Sequence, residues 1–222
     1  MAVSETDLTG GSPRVANTYS YVGNPAWHFD DDDGLVPLSR KSWSQWRGYG
    51  DVQVFHGDPG EQSETETLYF RGMDGDKLAA GGTKSVTVIA SDGVVWADTD
   101  ALAGSAHEKT VYAAPGGTVA TGTISDPFLS APTATRTING TTVYARHTGT
   151  GVATSRTALD GLRGWRTTRI VNWGGRGDHP DPEPRRQLRH LIRPLRRAAA
   201  PAADTGALAR RNRRYDPDRH LL

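Results

Sequence analysis

Short apolar and β-branched runs, separated by glycine, proline, asparagine and aspartate, recur along most of this chain. Alternation of apolar and polar residues indicates strands with one face turned inward, and the turn-forming residues between them indicate hairpins. The strongest signal is Asn139-Gly140, which supplies the positive φ angles of a type I′ turn between the β-branched runs 133–138 and 141–146. The pattern therefore predicts an antiparallel hairpin with Asn139-Gly140 at its tip.

The same pattern predicts further strand pairs on both sides of this hairpin. They are 85–89 with 94–96, 109–113 with 118–124, and 152–159 with 165–171. A longer hairpin is predicted over residues 43–78, with one strand at 52–55, a polar turn at 56–63 and the second strand ending at Tyr69 and Phe70.

One more hairpin is predicted near the N-terminus. Tyr19 and Tyr21 alternate as in a strand, residues 23–25 form a Gly-Asn-Pro turn signal, and Trp27 and Phe29 follow at strand spacing. This segment is therefore expected to fold back on itself as two paired strands.

Successive hairpins of this kind predict an all-β, antiparallel fold, arranged as a meander that is sandwich-like or part of a β-shell. Composition agrees with an all-β fold, because only 36% of the residues are hydrophobic against 26 glycines and 13 prolines.

The predicted β-rich body covers residues 1–172, with 14 Lys and Arg against 19 Asp and Glu, a net charge of −5. Residues 173–222 carry 12 arginines, no lysine and 6 acidic residues, a net charge of +6, so we place a domain boundary there.

Three interpretations of the basic tail, residues 173–222, stay open. Its prolines and scarcity of β-formers favour a disordered or loosely helical appendage. High-GC codons read out of register also give Arg, Pro, Ala and Gly, so the tail is equally interpreted as the product of a frameshift. Arginines that neutralise phosphates would make it a nucleic-acid arm, although Trp173 and Tyr215 are its only aromatic residues.

Clustered carboxylates suggest a calcium site at Asp30-Asp31-Asp32-Asp33, because hard cations take oxygen ligands. Neighbouring carboxylates on an extended chain point to alternate sides, and no glycine-punctuated loop spaces them around an ion. We therefore interpret the run as a solvated acidic turn.

Asp74 and Asp76 raise the same question, because their carboxylates could form half of a calcium site. We interpret Asp74 and Asp76 as parts of a tight turn around Gly75.

Catalytic and cofactor-binding chemistry has no candidate set in this sequence. His28, His56, His107 and His147 stand apart, in different predicted turns or strands, without the spacing of a ligand pair. Cysteine is absent, which excludes disulfides and thiolate metal sites. No serine lies in a nucleophile-elbow context, and no glycine loop leads into a helix to cradle phosphate. We therefore expect no enzymatic activity, no cofactor and no metal.

The tryptophans offer one binding hypothesis. Trp27, Trp43, Trp46 and Trp96 could present ring faces to sugars, which would make the body a carbohydrate- or cell-wall-binding module. Tryptophan in a β-protein is more often part of the core, so exposure decides between the two.

Four phrases of the body resemble a known family. WSQWRGYGDV from Trp43, LYFRGMDGDKL from Leu68, DTDALAG from Asp98 and GTISDPFLSAPTATRT from Gly122 are similar to sequences in the large secreted Rhs/YD-repeat proteins of actinobacteria. The Tyr21-to-Asn24 segment resembles a degenerate YD repeat that lacks the aspartate after the tyrosine.

The resemblance implies a non-catalytic structural fragment of a β-shell, of the kind that encloses a toxin or lies at the cell surface. Its implied partners are the remainder of the shell and cell-wall carbohydrate, and its implied location is extracellular or cell-wall associated. The first residues lack the basic start and apolar run of a signal peptide, so we predict no export signal in this chain. No segment has the length of a membrane span.

Overall fold

Fourteen β-strands and two 3-10 helices form the regular structure in the computed structural model, which describes residues 1–6, 8–11, 14–159 and 164–172. The predicted all-β class is confirmed. The chain divides into two units, Met1–Pro180 and Asp181–Leu222, and the described residues all belong to the first. The tail predicted over residues 173–222, with its three interpretations, lies outside the described residues.

The bounds of the elements follow the turn signals closely. The strands are β1 (Ala2–Glu5), β2 (Val15–Val22), β3 (Ala26–His28), β4 (Gln45–Gly48), β5 (Asp51–His56), β6 (Ser63–Tyr69), β7 (Thr87–Ile89), β8 (Val95–Ala97), β9 (Ala106–Tyr112), β10 (Val119–Leu129), β11 (Ala134–Ile138), β12 (Thr141–Ala145), β13 (Thr148–Ala158) and β14 (Trp165–Val171). The 3-10 helices are Leu38–Arg40 and Asp100–Leu102.

Eight of these strands form one antiparallel sheet in the order β1-β2-β5-β6-β9-β10-β13-β14. The other six form three two-stranded ladders, β3–β4, β7–β8 and β11–β12. Each ladder is inserted into a connection of the sheet, between β2 and β5, between β6 and β9, or between β10 and β13. The chain therefore repeats one pattern three times: a sheet strand, an inserted hairpin, and the next sheet strand.

The alternation of strand direction places all three inserted hairpins at the same end of the sheet. Because neighbours are antiparallel, β2, β6 and β10 run in one direction, and each leads into an insertion. We call this the hairpin end. At the opposite end β5–β6, β9–β10 and β13–β14 are joined by connections of six residues each, at 57–62, 113–118 and 159–164.

Most of the predicted hairpins are confirmed. The pairs β5–β6, β7–β8, β9–β10 and β13–β14 are antiparallel, as expected from the turn residues between them. At the tip of β11–β12, Asn139 has φ 47° and Gly140 has φ 82°, as a type I′ turn requires, and Ile138 pairs with Thr141.

The predicted N-terminal hairpin is wrong. Strand β2 pairs with β1 on one side and β5 on the other, while β3 pairs with β4, so the two predicted partners lie in different sheets. Gly23, with φ 81°, begins a corner that takes the chain away from the sheet. A turn signal specifies that the chain changes direction, but it does not specify the partner strand. Strand β5 forms a six-residue ladder with β2, which is twice as long as the three-residue β3 could provide, so β2 pairs with β5.

The hydrophobic core is small and lies toward the hairpin end. In the part of the chain that the structure describes, the buried hydrophobic residues are Ala26, Phe70, Met73, Ala90, Leu102 and Ile124. All except Ile124 belong to the connections that carry the first two inserted hairpins. Every residue of the end strands β1 and β14 is exposed.

Among the described residues no helix has the length and apolar character needed to cross a membrane.

Candidate functional site

The first inserted hairpin carries two exposed tryptophans. In the β3–β4 ladder Trp27 lies directly opposite Trp46, with ring centroids 4.9 Å apart and planes at 62°. The strand alternation is unusual, because the small Ala26 is buried while the much larger Trp27 is 46% exposed and Trp46 is 51% exposed. The hairpin therefore presents its largest aromatic surface to solvent.

Two tyrosines extend this surface. Gly48, with φ 71°, turns the chain from β4 into β5, and Tyr49 in that corner lies 5.9 Å from the Trp46 ring, edge to face. Tyr21, near the end of β2, stacks on Tyr49 at 4.6 Å. We call Trp27, Trp46, Tyr49 and Tyr21 the aromatic cluster.

A groove of about 520 Å³ runs beside the cluster. It is lined by Gln45, Trp46, Arg47, Gly48, Arg71, Ala103 and Gly104. Gly72, which has φ 71°, lies against two of the lining residues, because its added Cβ would lie 3.0 Å from the Cβ of Ala103 and 3.2 Å from Nη1 of Arg47, as well as 2.8 Å from the Cα of Asp100. Only glycine allows this close approach of the segment after β6 to the second 3-10 helix.

The two groove arginines differ electrostatically. Arg47 donates to the Asp100 carboxylate at 2.7 Å and to the Gln45 side chain at 3.0 Å, so its charge is compensated. Arg71 donates to the carbonyl of Asn24 at 3.1 Å. The salt bridges among the described residues do not include Arg71, so of the two groove guanidinium groups only that of Arg47 is paired with a carboxylate.

Two of the four tryptophans predicted as sugar-binding candidates come together. Trp27 and Trp46 are in contact, but Trp43 packs on Phe29 at 5.0 Å and donates from Nε1 to the carbonyl of Lys77. Trp96 lies on β8 in the second inserted hairpin and is half-buried. Tyr21, Tyr49 and Arg71 also lie at this surface. The sequence pattern did not predict them as neighbours, because their proximity arises from the sheet order.

The acidic run surrounds a lysine. The Lys41 side chain is only 3% exposed, and its ammonium lies 3.0 Å from the Asp33 carboxylate and bonds the carbonyl of Asp31. The backbone amides of Val36 and Leu35, followed by Lys41, hold the pKa of Asp33 well below its usual range. The cation within this acidic loop is thus an ammonium group.

The remaining carboxylates of the run also have protein partners. The Ser44 hydroxyl and the Ser42 amide bind Asp30 and lower its pKa. Asp31 accepts a hydrogen bond from Gln45 and Asp32 accepts one from the amide of Gly34. The interpretation as a solvated turn omitted these bonds, whose donors lie outside the run.

Two buried aspartates bind backbone amides at the hairpin end. Asp98, 1% exposed, accepts backbone hydrogen bonds from Arg71, Gly72 and Met73, at 2.7, 2.8 and 3.3 Å. As predicted, a tight turn forms around Gly75, which has φ 84°.

Asp76, next to that turn, links the first two insertions. Its carboxylate accepts hydrogen bonds from Lys84 at 2.6 Å and from the Phe29 amide at 3.0 Å. Burial alone would raise the pKa of Asp76, but Lys84, the Phe29 amide and the charge of nearby His28 outweigh burial and lower it.

The histidines lie in separate places. His28 is on β3, His56 ends β5 and bonds the Asn17 side chain, and His147 lies between β12 and β13. His107 on β9 is fully buried, packs on Phe70 at 5.0 Å and donates from Nδ1 to the carbonyl of Ser125. Within the described ranges no three His, Cys, Asp or Glu residues form a group that could hold a metal ion.

No protein-family model, no curated protein and no solved structure matches this chain. The resemblance to Rhs/YD-repeat proteins therefore stays a prediction from the four sequence phrases.

Proposed function

We propose that this chain is a non-catalytic structural segment of a larger β-assembly of the Rhs/YD-repeat type. The observation that carries this proposal is that the outer edges of β1 and β14 have no partner strand among the described residues. An edge strand with unpaired backbone groups is a template for another strand. Further strands of the same shell are the partners proposed here, in the extracellular or cell-wall location that the resemblance implies.

The β14 edge has the features expected of a pairing surface. The amide of Asn172 donates to the carbonyl of Gly151, directly opposite in the β13–β14 register, so alternate residues before it also bond to β13. The amides of Thr167, Arg169 and Val171 consequently point away from the sheet. Neither proline nor a bulge interrupts β14 to discourage addition of a strand.

The small core supports the same proposal. A sheet of eight strands has two faces to cover, whereas the buried hydrophobic residues are concentrated at one end. Large apolar side chains remain exposed on β14, including Trp165, Ile170 and Val171. Packing against neighbouring parts of a shell would remove this apolar surface from water and stabilise the segment.

Paired proline substitutions in β14 test the proposal by sedimentation velocity over a range of protein concentrations. We expect the unaltered chain to associate as concentration rises. Thr167→Pro removes an outward amide and should reduce association while the far-UV spectrum stays unchanged. The control Thr168→Pro removes an amide that bonds β13 and should lower stability instead. A chain that stays monomeric throughout, or a Thr167→Pro variant that associates like wild type, would contradict the proposal.

A further inference from the structure

We propose that the aromatic cluster and its adjoining groove bind an oligosaccharide that carries a carboxylate. This site lies on the first inserted hairpin and the corner after it, away from the outer edge of β14, and does not depend on the scaffold function. Exposed ring faces, hydrogen-bond donors in the groove and a guanidinium group without a carboxylate partner among the described residues favour this class of ligand.

The aromatic cluster supplies exposed ring faces on which a sugar can pack. A pyranose ring has a face of C–H groups that packs on an aromatic ring, and hydroxyl groups around its rim that require hydrogen-bond partners. Trp27 and Trp46 are about half exposed and are held at a fixed angle by their cross-strand contact, so their surfaces are accessible and preorganised. Tyr21, 42% exposed, continues the surface beyond the groove.

The groove supplies the polar partners. Gln45, Arg47 and Arg71 line it beside Trp46, and its volume of about 520 Å³ is in the range of small-molecule sites. Among the described residues that line it, Ala103 is the sole aliphatic side chain. Ring faces next to amide and guanidinium donors fit a sugar better than the aliphatic side chains of a protein partner.

The charges at the groove favour an acidic sugar over a neutral one and over nucleic acid. Arg47 already has Asp100 as its counter-ion, whereas Arg71 has no salt-bridge partner among the described residues, so a single carboxylate on the sugar would compensate it. Nucleic acid would also stack on exposed rings. However, residues 1–172 carry a net charge of −5, which opposes a polyphosphate chain.

Calorimetric titration of the full chain with two matched pairs of sugars tests the inference. One pair is xylotetraose and an aldotetraouronic acid; the other is chitotetraose and a tetrasaccharide that alternates N-acetylglucosamine with N-acetylmuramic acid. We expect the acidic member of at least one pair to bind about tenfold more tightly than the neutral member, the effect of one charge-assisted contact. If no sugar binds, the proposal is wrong.

Matched variants assign the binding to the site. Trp46→Ala should weaken binding at least about tenfold, and Trp46→Phe, which keeps a ring face, should weaken it less. Trp165→Ala removes an exposed tryptophan on β14 and should have no effect. Equal losses from Trp46→Ala and Trp165→Ala would overturn the proposal, as would binding of a short single-stranded DNA that is tighter than that of any sugar and is weakened by Trp46→Ala.

Arg71 variants test the carboxylate contact. Arg71→Gln should abolish the preference for the acidic sugar, and Arg71→Lys should retain it. Arg136→Gln removes one positive charge from the exposed strand β11 and should leave the preference intact. A preference that survives Arg71→Gln would overturn the assignment of the carboxylate to this arginine.

Discussion

The side-chain amide of Asn139 donates hydrogen bonds to both carboxylate oxygens of Asp32, at 3.0 and 3.3 Å, across 107 positions of sequence. The residue before it, Ile138, approaches the acidic loop as well, since a Cβ added to Gly34 would lie 3.1 Å from its Cγ2. Strands β11 and β12 are otherwise almost wholly exposed. The third inserted hairpin is therefore anchored through its tip to the first insertion.

Replacing Asn139 tests this anchor. Asn139→Asp retains a residue that tolerates positive φ but sets a second carboxylate against Asp32, so we expect a loss of about 1–2 kcal/mol in the free energy of unfolding. Asn139→Gly removes only the amide and should cost less than about 1 kcal/mol. Urea denaturation at pH 7 measures both. Equal stability of the Asp variant and wild type would show that the contact contributes nothing.

Asp98 is expected to be among the most sensitive acidic residues. Asp98→Asn replaces a buried acceptor of three backbone hydrogen bonds by a group that turns one oxygen into a donor, and should cost about 2–3 kcal/mol. Asp92→Asn is the matched control, because Asp92 is exposed and accepts one backbone bond, from Val94. Thermal and urea unfolding should separate the two variants. Similar small losses in both would contradict the structural role of Asp98.

The lowered pKa of Asp76 predicts that the folded protein loses stability in acid. Because its pKa is lower in the folded protein than in the unfolded chain, its contribution is complete above the unfolded value, about 3.9. That contribution is lost as pH falls through the folded pKa, and Asp30 and Asp33 act in the same direction. Urea denaturation from pH 6 downward should therefore show falling stability below about pH 4. Asp76→Asn should flatten this dependence, and a parallel curve would contradict the assignment.

Gly72 and Gly75 provide a comparison of strain with and without a clash. Both have positive φ, so alanine at either position should cost about 1–2 kcal/mol. Gly75→Ala meets open space, whereas Gly72→Ala places Cβ 2.8 Å from the Cα of Asp100. We expect Gly72→Ala to cost at least about 1 kcal/mol more than Gly75→Ala. Chemical denaturation measures the difference, and equal losses would show that the backbone near Asp100 adjusts to the added Cβ without a measurable cost.

Local signals predicted local structure well. Asn139-Gly140 and the turn residues near residues 57–62 and 113–118 identified their hairpins, because the turn and both strands lie within about twenty residues of sequence. The turn signals did not predict which strands pair when the partners are far apart in sequence. Residues 23–25 signal a turn correctly, yet the strand that follows pairs with β4, beyond the acidic loop.

The candidate site was predictable only in part. Exposed tryptophan was proposed from composition, but the contact of Trp27 with Trp46 depends on the β3–β4 register, and that of Tyr21 with Tyr49 depends on the pairing of β2 with β5. Arg71 joins them through the connection after β6. Periodicity predicts which residues share a face of one strand, whereas a site built from strand β2 and two connections requires the sheet order.

The unequal lengths of the connections at the two ends of the sheet have a consequence for the order of folding. Opposite the hairpin end, the connections within β5–β6, β9–β10 and β13–β14 have six residues each; at the hairpin end, residues 23–50, 70–105 and 130–147 separate paired strands. Closing these longer loops costs roughly 1–1.6 kcal/mol more in chain entropy. We therefore expect β5–β6, β9–β10 and β13–β14 to form before the pairs β2–β5, β6–β9 and β10–β13. The groove, whose lining comes from both the first and the second long connection, is completed only as those pairs form, late in folding.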